Sequence, residues 1–343
     1  MRIAEFPEIY RNKLAYAAAI ILLFAVITPH FSCTQPSARA SLPVRKMQFS
    51  YAFTIKNLAA GANRVDIWAP VPRSDARQDI SNLEIKCSYP YTIETEPEYG
   101  NSILKVNATG TLPAELSVAM NFQVTRSGYQ VFEQNGKKFE APSPQTLQRF
   151  LRADRLVPID GKIAAEAKQV VRDDMPVLEK ARAIYNHVAG TLTYDKSGDG
   201  WGRGDAIYAC DIRRGNCTDF HSLFIGMARA SAIPARFVIG FPVPEDKTHG
   251  DIAGYHCWAE FYVEGRGWVP VDASEANKHR DKWDFFFGGL DPNRVQFTVG
   301  RDLRLVSSAD AEPLNYFIYP HVRVNGKPHE EVERHITFSE TAD

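Results

Sequence analysis

The sequence is short of cysteine and has no excess of either charge. Five cysteines in 343 residues cannot build a disulfide-held scaffold. Acids number 41 and bases 40, so no global field draws the chain to nucleic acid or an anionic membrane. There is no Cys-x-x-Cys, no His-Glu-x-x-His, and no Gly-Lys-Ser/Thr behind a glycine-rich loop. The usual signatures of a dithiol redox centre, a zinc protease and a phosphate loop are therefore missing. No internal repeat is present. What remains is an ordinary globular balance, 44% hydrophobic and 24% charged, which excludes disorder over the whole chain. The length suggests two domains. The cysteine count is odd, so at least one thiol is left over if the others pair.

Residues 1–40 are expected to be a secretion leader or lipoprotein leader. Arg2, Arg11 and Lys13 precede an apolar run from Leu14 to Ile27. As a helix that run reaches about 21 Å, short of a ~30 Å hydrocarbon core. A short apolar run behind a basic start is a secretion signal. Ala38-Arg39-Ala40 offers a small-x-small cleavage site, and Cys33 a site for lipidation. The expected location is exported, periplasmic or extracellular. Membrane attachment would run through the leader or a lipidated Cys33.

Residues 45–135 are expected to form an antiparallel β-sandwich. Met47, Phe49, Tyr51, Phe53 and Ile55 alternate, as do Leu116, Val118, Met120, Phe122 and Val124. Residues 136–158, with Pro142, Pro144 and Pro158, have the look of a linker. Helical periodicity then takes over, first at Ile163–Val171 and again at Val177–Val188, with Asp174 as the expected N-cap of the second helix. Gly198 to Gly204 is expected to be a flexible loop. The α+β second domain is placed at 159–325 and a C-terminal tail at 326–343.

Phe220, Leu223, Phe224, Met227 and Ala228 lie on one helical face beyond Cys217, and Gly215-Asn216 breaks structure before it. Cys217 thus falls in a first helical turn, where the helix dipole and unpaired N–H groups favour thiolate. A buried structural cysteine is the competing assignment. Further on, Tyr255–Val263 and Trp268–Asp272 are the strands of a hairpin around Glu264-Gly265-Arg266. With that loop length Val263 opposes Gly267, and His256 and Asp272 share a face as diagonal neighbours. A histidine beside an aspartate is a base with its orienter. Zinc is the rival use, but His256 and Cys257 are strand neighbours that should point to opposite faces. His221 is expected to be a satisfied core histidine, and Cys257 to pack in the core.

Three segments together are familiar: Gly215-Asn216-Cys217-Thr218-Asp219-Phe220-His221, Tyr255-His256-Cys257-Trp258-Ala259-Glu260-Phe261-Tyr262, and Gly267-Trp268-Val269-Pro270-Val271-Asp272-Ala273-Ser274. They resemble the transglutaminase-like superfamily, closest to bacterial exported members with a β-sandwich ahead of the catalytic core. The resemblance implies a papain-like fold, helices packed on an antiparallel sheet. It implies Cys217 as nucleophile, His256 as general base and acid, and Asp272 as orienter. Trp201 and Tyr208 are candidates for the second oxyanion donor. The implied reaction is acyl transfer on protein or peptide amide bonds through a thioester. No cofactor, metal or nucleic acid is implied, and calcium is not carried over. A hydrolytic cysteine peptidase or amidase is expected. A protein-cross-linking transglutaminase, an inactive binding scaffold, and a redox protein using Cys210, Cys217 or Cys257 are the alternatives.

Overall fold

The computed structural model describes residues 43–134, 141–306, 308 and 312–341. The leader, with Cys33 and Ala38-Arg39-Ala40, lies outside them. The first half supplies strands β1 (Val44–Ile55), β2 (Arg64–Val71), β3 (Gln78–Cys87), β4 (Tyr91–Thr95), β5 (Ser102–Thr109) and β6 (Leu116–Ser127). Helices α1 (Pro144–Arg149), α2 (Gly161–Val170), α3 (Val177–Thr191), α4 (Ala206–Ile212) and α5 (Cys217–Ala230) follow. Strands β7 (Ala235–Pro242), β8 (His249–Asp251), β9 (His256–Val263) and β10 (Gly267–Val271) lead into helix α6 (Ala273–Lys278). The chain returns through β11 (Arg294–Val299), β12 (His321–Val324) and β13 (Val332–Glu340).

Alternation explains the sandwich. The odd residues from Met47 to Ile55 and the even residues from Leu116 to Val124 are all buried, so each strand turns one apolar face inward. Each such side chain contributes about 1.5–3 kcal/mol of burial. One five-stranded sheet runs β8-β13-β1-β6-β3, and the other carries β12-β2-β5-β4 with Lys327–Pro328 at its edge. Their inner faces share one hydrophobic core.

The boundaries differ from those expected. The described part of the expected tail, 326–341, is no tail, because β13 pairs with β1 along nine positions, setting Phe338 against Phe49 and Ile336 against Tyr51. Without β13, the apolar β1 would be an open edge. β8 and β12, from within 159–325, also enter the sandwich sheets. The described part of 136–158 is packed rather than loose. Phe150 and Val157 are buried, and Asp154 accepts from Arg149 and Arg229 at 2.9 and 2.7 Å.

The core sheet, β10-β9-β7-β11, is antiparallel throughout. Its hairpin has the expected register, Val263 opposite Gly267 and Ala259 opposite Val271. Helix α5 lies on this sheet, with Phe224 against Phe261 at 6.2 Å between ring centres. Its sequence shows one apolar face, yet every residue from Cys217 to Arg229 is buried. The other side is covered by helices: a Cβ at Gly226 would stand 3.0 Å from Ile163 and 3.2 Å from the Pro158 carbonyl. Helix α3 has Pro176, not Asp174, in the capping position, and Asp174 instead accepts from Arg172 at 3.2 Å. No described helix is long and apolar enough to cross a membrane.

Candidate active site

Helix α5 starts at Cys217 for a readable reason. Asn216 is extended, and its side-chain oxygen accepts from the Thr218 N–H at 2.9 Å. Asp219 reaches back to the Asn216 N–H at 2.9 Å, completing a capping box worth about 1 kcal/mol. At Gly215 any side chain would overlap the Asp219 carboxylate. Cys217 is thereby fixed as the first helical residue, at the positive end of the dipole.

Asp219 does more than cap. It also accepts from the N–H groups of Gly202 and Gly204, at 2.7 and 3.0 Å. Arg301 donates to the Gly204 carbonyl at 2.7 Å, and Asn315 to that of Arg203 at 2.7 Å. The loop 198–204 is therefore pinned, not loose. Its glycines serve the path: Gly198, Gly200, Gly202 and Gly204 all have φ between 63° and 90°. The Tyr208 ring packs against this loop, 2.9 Å from where a Cβ on Gly200 would stand, and its buried hydroxyl has no partner among the described residues.

The hairpin brings His256 to Asp272. His256 Nε2 lies 2.7 Å from Asp272 Oδ2. Asp272 is fully buried and surrounded by donors. Arg294 Nη1 reaches Oδ2 at 2.7 Å, and the Ser274 hydroxyl and Glu275 N–H reach Oδ1 at 3.0 Å each. Burial alone would raise this carboxyl, but His256, Arg294 and His221 hold it well below its ordinary range. Arg294 is itself clamped by Asp291 at 2.7 Å. The other imidazole nitrogen, Nδ1, is left for the Cys217 sulfur, which hydrogen-bonds His256.

Cys217 is 2% exposed. Its thiol is held well below an ordinary thiol by a hydrogen bond from Cys257, then, against the cost of burial, by His256 and His221. Burial would lower His256, but Asp272 and the Cys217 sulfur outweigh it and push the imidazole up to about 10. Near neutral pH the pair is thus thiolate and imidazolium. Burial and the neighbouring Cys217 thiolate push Cys257 well above an ordinary thiol, so it stays protonated. Its sulfur lies 3.6 Å from His221 Nδ1, and His221 Nε2 accepts from the Ala273 N–H at 3.1 Å. His221 is satisfied in the core as expected, with burial lowering it toward the neutral form.

The expected separation of His256 and Cys257 does not hold at the sulfur. His256 is the first residue of β9, and at a strand end both side chains reach Cys217. Three neighbours of Cys217, His256 and Asp272 were given no active-site role from the sequence: Asp219, Arg294 and Cys257. Arg294 is 22 positions from Asp272, and only the fold joins them.

Residues 164–273 match the model of the transglutaminase-like superfamily, a span holding Cys217, His256 and Asp272. An uncharacterized protein of Haemophilus influenzae is 26% identical over 321 residues, covering 82% of this chain and 86% of that one. An uncharacterized protein of Mycobacterium leprae is 24% identical over 57% of this chain and 71% of its own length. A crystal structure from Cytophaga hutchinsonii, named a "Putative Cysteine Protease", shares the fold with a TM-score of 0.58 and 19% identity, covering 88% of this chain and 92% of that one. Residues 164–273, set between the β-sandwich strands, are thus similar to the transglutaminase-like superfamily, and the chain shares its fold with the Cytophaga hutchinsonii protein.

Proposed function

We propose that the protein is a thiol-dependent acyl-transfer enzyme that hydrolyses amide bonds in proteins or peptides, with Cys217, His256 and Asp272 as its catalytic triad. One observation carries this: an imidazole whose Nε2 is 2.7 Å from a buried carboxylate stands beside a buried thiol at a helix start and helps hold that thiol well below its ordinary range. Cys217 Sγ attacks the amide carbonyl carbon. As the C–N bond breaks, His256 Nδ1–H gives its proton to the leaving nitrogen. Water then loses a proton to His256 and attacks the thioester, and the C–S bond breaks to restore the thiolate. Asp272 keeps the imidazole oriented and stabilises its charge. First-turn N–H groups of α5 face the developing oxyanion, and Tyr208, with its unpartnered hydroxyl, is the better of the two side-chain candidates for a second donor. The name of the Cytophaga hutchinsonii neighbour supports the hydrolytic assignment, and the basic-apolar leader supports export.

The test is to mix the protein with a peptide library, quench in acid, and read the mass added to each cysteine. An acyl group on Cys217, absent from Cys217→Ala, is expected. Repeating the reaction with a primary amine separates hydrolysis from transamidation. If no peptide ever acylates Cys217 and iodoacetamide labels it no faster than Cys87, the proposal is wrong.

A further inference from the structure

Between the sandwich and the core sheet lies a cleft of about 450 Å³, away from Cys217. Its lining carries four arginines, Arg73, Arg77, Arg126 and Arg236, against two carboxylates, Asp75 and Glu260. Glu260 is four residues along β9 from His256, roughly 13 Å at strand spacing.

Arg126 is the anomaly. It continues the inward face of β6 after Phe122 and Val124, where an apolar residue would be expected, and it is 1% exposed. Its Nε and Nη1 are buried and have no hydrogen-bond partner among the described residues. A buried, unpaired guanidinium is costly, and folds rarely keep one without a counter-charge. Arg45, directly opposite on β1, shows the ordinary solution: it donates to Glu340 at 2.7 Å and Asn293 at 2.9 Å.

The walls around Arg126 are already satisfied. Gln78 spends its amide on the Arg73 and Gln296 carbonyls, both at 3.0 Å, and accepts from the Gln296 N–H at 2.9 Å. Arg236 and Glu260 are paired at 2.7 Å, and the Arg236 guanidinium stacks 4.2 Å from the Trp268 ring. Glu260 is thus occupied and does not neutralise Arg126. Arg77 lies 4.1 Å over the Tyr129 ring and adds a second positive charge to the same cleft. A concave site with an unmet guanidinium, surplus positive charge and aromatic walls is built for an anion.

We propose that this cleft is a second ligand site, independent of the triad, that binds an oxyanion of a small ligand, a carboxylate or a phosphate, with Arg126 as its principal donor. The oxyanion accepts from the Arg126 N–H groups while Tyr129 and Trp268 flank the remainder of the ligand.

The test uses the full chain and three probes: inorganic phosphate, an acetylated tripeptide with a free C-terminal carboxylate, and the same peptide amidated. Chloride at matched ionic strength is the control. At a hundredfold excess over Kd, the bound probe should raise the Tm by about 3–6 °C. A response to phosphate identifies a phosphate ligand. A response to the free acid but not the amide identifies a carboxylate. Arg126→Met should lose the response while being no less stable than wild type without anion. No shift with phosphate or free acid, or an equal shift in Arg126→Met, overturns the proposal. If that variant does not fold, phenylglyoxal labelling of the wild type decides. The responding anion should slow modification of Arg126 several-fold, and an unchanged rate overturns the site.

Discussion

Two buried charges in this molecule are treated in opposite ways. Asp272 sits at the hairpin end with four donors around it, and its partner Arg294 is held by two carboxylates. Arg126 is as deeply buried on β6, and its Nε and Nη1 meet no acceptor. Around Asp272 the protein supplies the whole counter-field itself, so the site is rigid before any substrate arrives. Around Arg126 the field is incomplete, and the oxyanion proposed above would finish it. Burial therefore does not distinguish these two charges, and the number of partners does.

Breaking the satisfied side should cost most. Asp272→Asn keeps the shape but withdraws the charge facing His256 and Arg294. We expect kcat/KM for amide hydrolysis to fall about 10⁴-fold, with stability lower by roughly 3–5 kcal/mol because Arg294 loses its buried partner. Steady-state kinetics and urea unfolding measure both. A small loss in each would mean that the carboxylate neither orients nor compensates.

Arg294→Met removes one donor and leaves Asp272 with His256. Stability should fall by about 2–4 kcal/mol, since Asp291 also loses its partner. The rate should drop only ~10–100-fold, because the His256–Asp272 contact survives. Loss equal to that of Asp272→Asn would make Arg294 part of the same unit.

The pH profile follows from the directions of the shifts. Cys217 is lowered and His256 is raised to about 10, so the thiolate–imidazolium pair persists through neutral pH. Alkylation of Cys217 by iodoacetamide should be nearly flat from pH 6 to 9, within about twofold. Hydrolysis should decline as pH rises through about 10, where His256 loses the proton it gives the leaving amine. An ordinary thiol titration near 8.5 in the alkylation rate would disprove the ion pair.

Cys257→Ala withdraws the hydrogen bond to the Cys217 sulfur, and Cys257→Ser restores an O–H donor. The alanine variant should alkylate roughly 3–10-fold more slowly at pH 6, with serine recovering most of the rate. Identical rates in both variants would leave Cys257 as packing. The smallest effect belongs to the unsatisfied side: Arg126→Met should leave stability unchanged or raise it by about 1 kcal/mol in anion-free buffer.

The legible parts of this molecule share a physical cause. The hairpin could be registered because a three-residue loop fixes which residues face each other, and one pairing then sets His256 beside Asp272. The helix start at Cys217 was visible because capping is local. The sandwich strands showed through their period of two. Arg294, Asp219 on the glycine loop, and the pairing of β13 with β1 were not visible, because each joins residues that only the fold brings together. Cys257 packs in the core as expected, but its nearness to Cys217 was not visible for a different reason, since strand alternation stops being a guide at the strand's first residue.

The pairing of β13 with β1 also has a temporal meaning. Arg45 and Glu340, which bond across it, stand 295 positions apart. β1 cannot gain its second neighbour until nearly all the intervening chain, triad included, has been made. Contacts this distant in sequence slow folding and lengthen the time that an apolar strand edge is unpaired. Assembly of the sandwich is therefore a late event, and a chain interrupted before residue 332 would carry all three triad residues beside an open sheet.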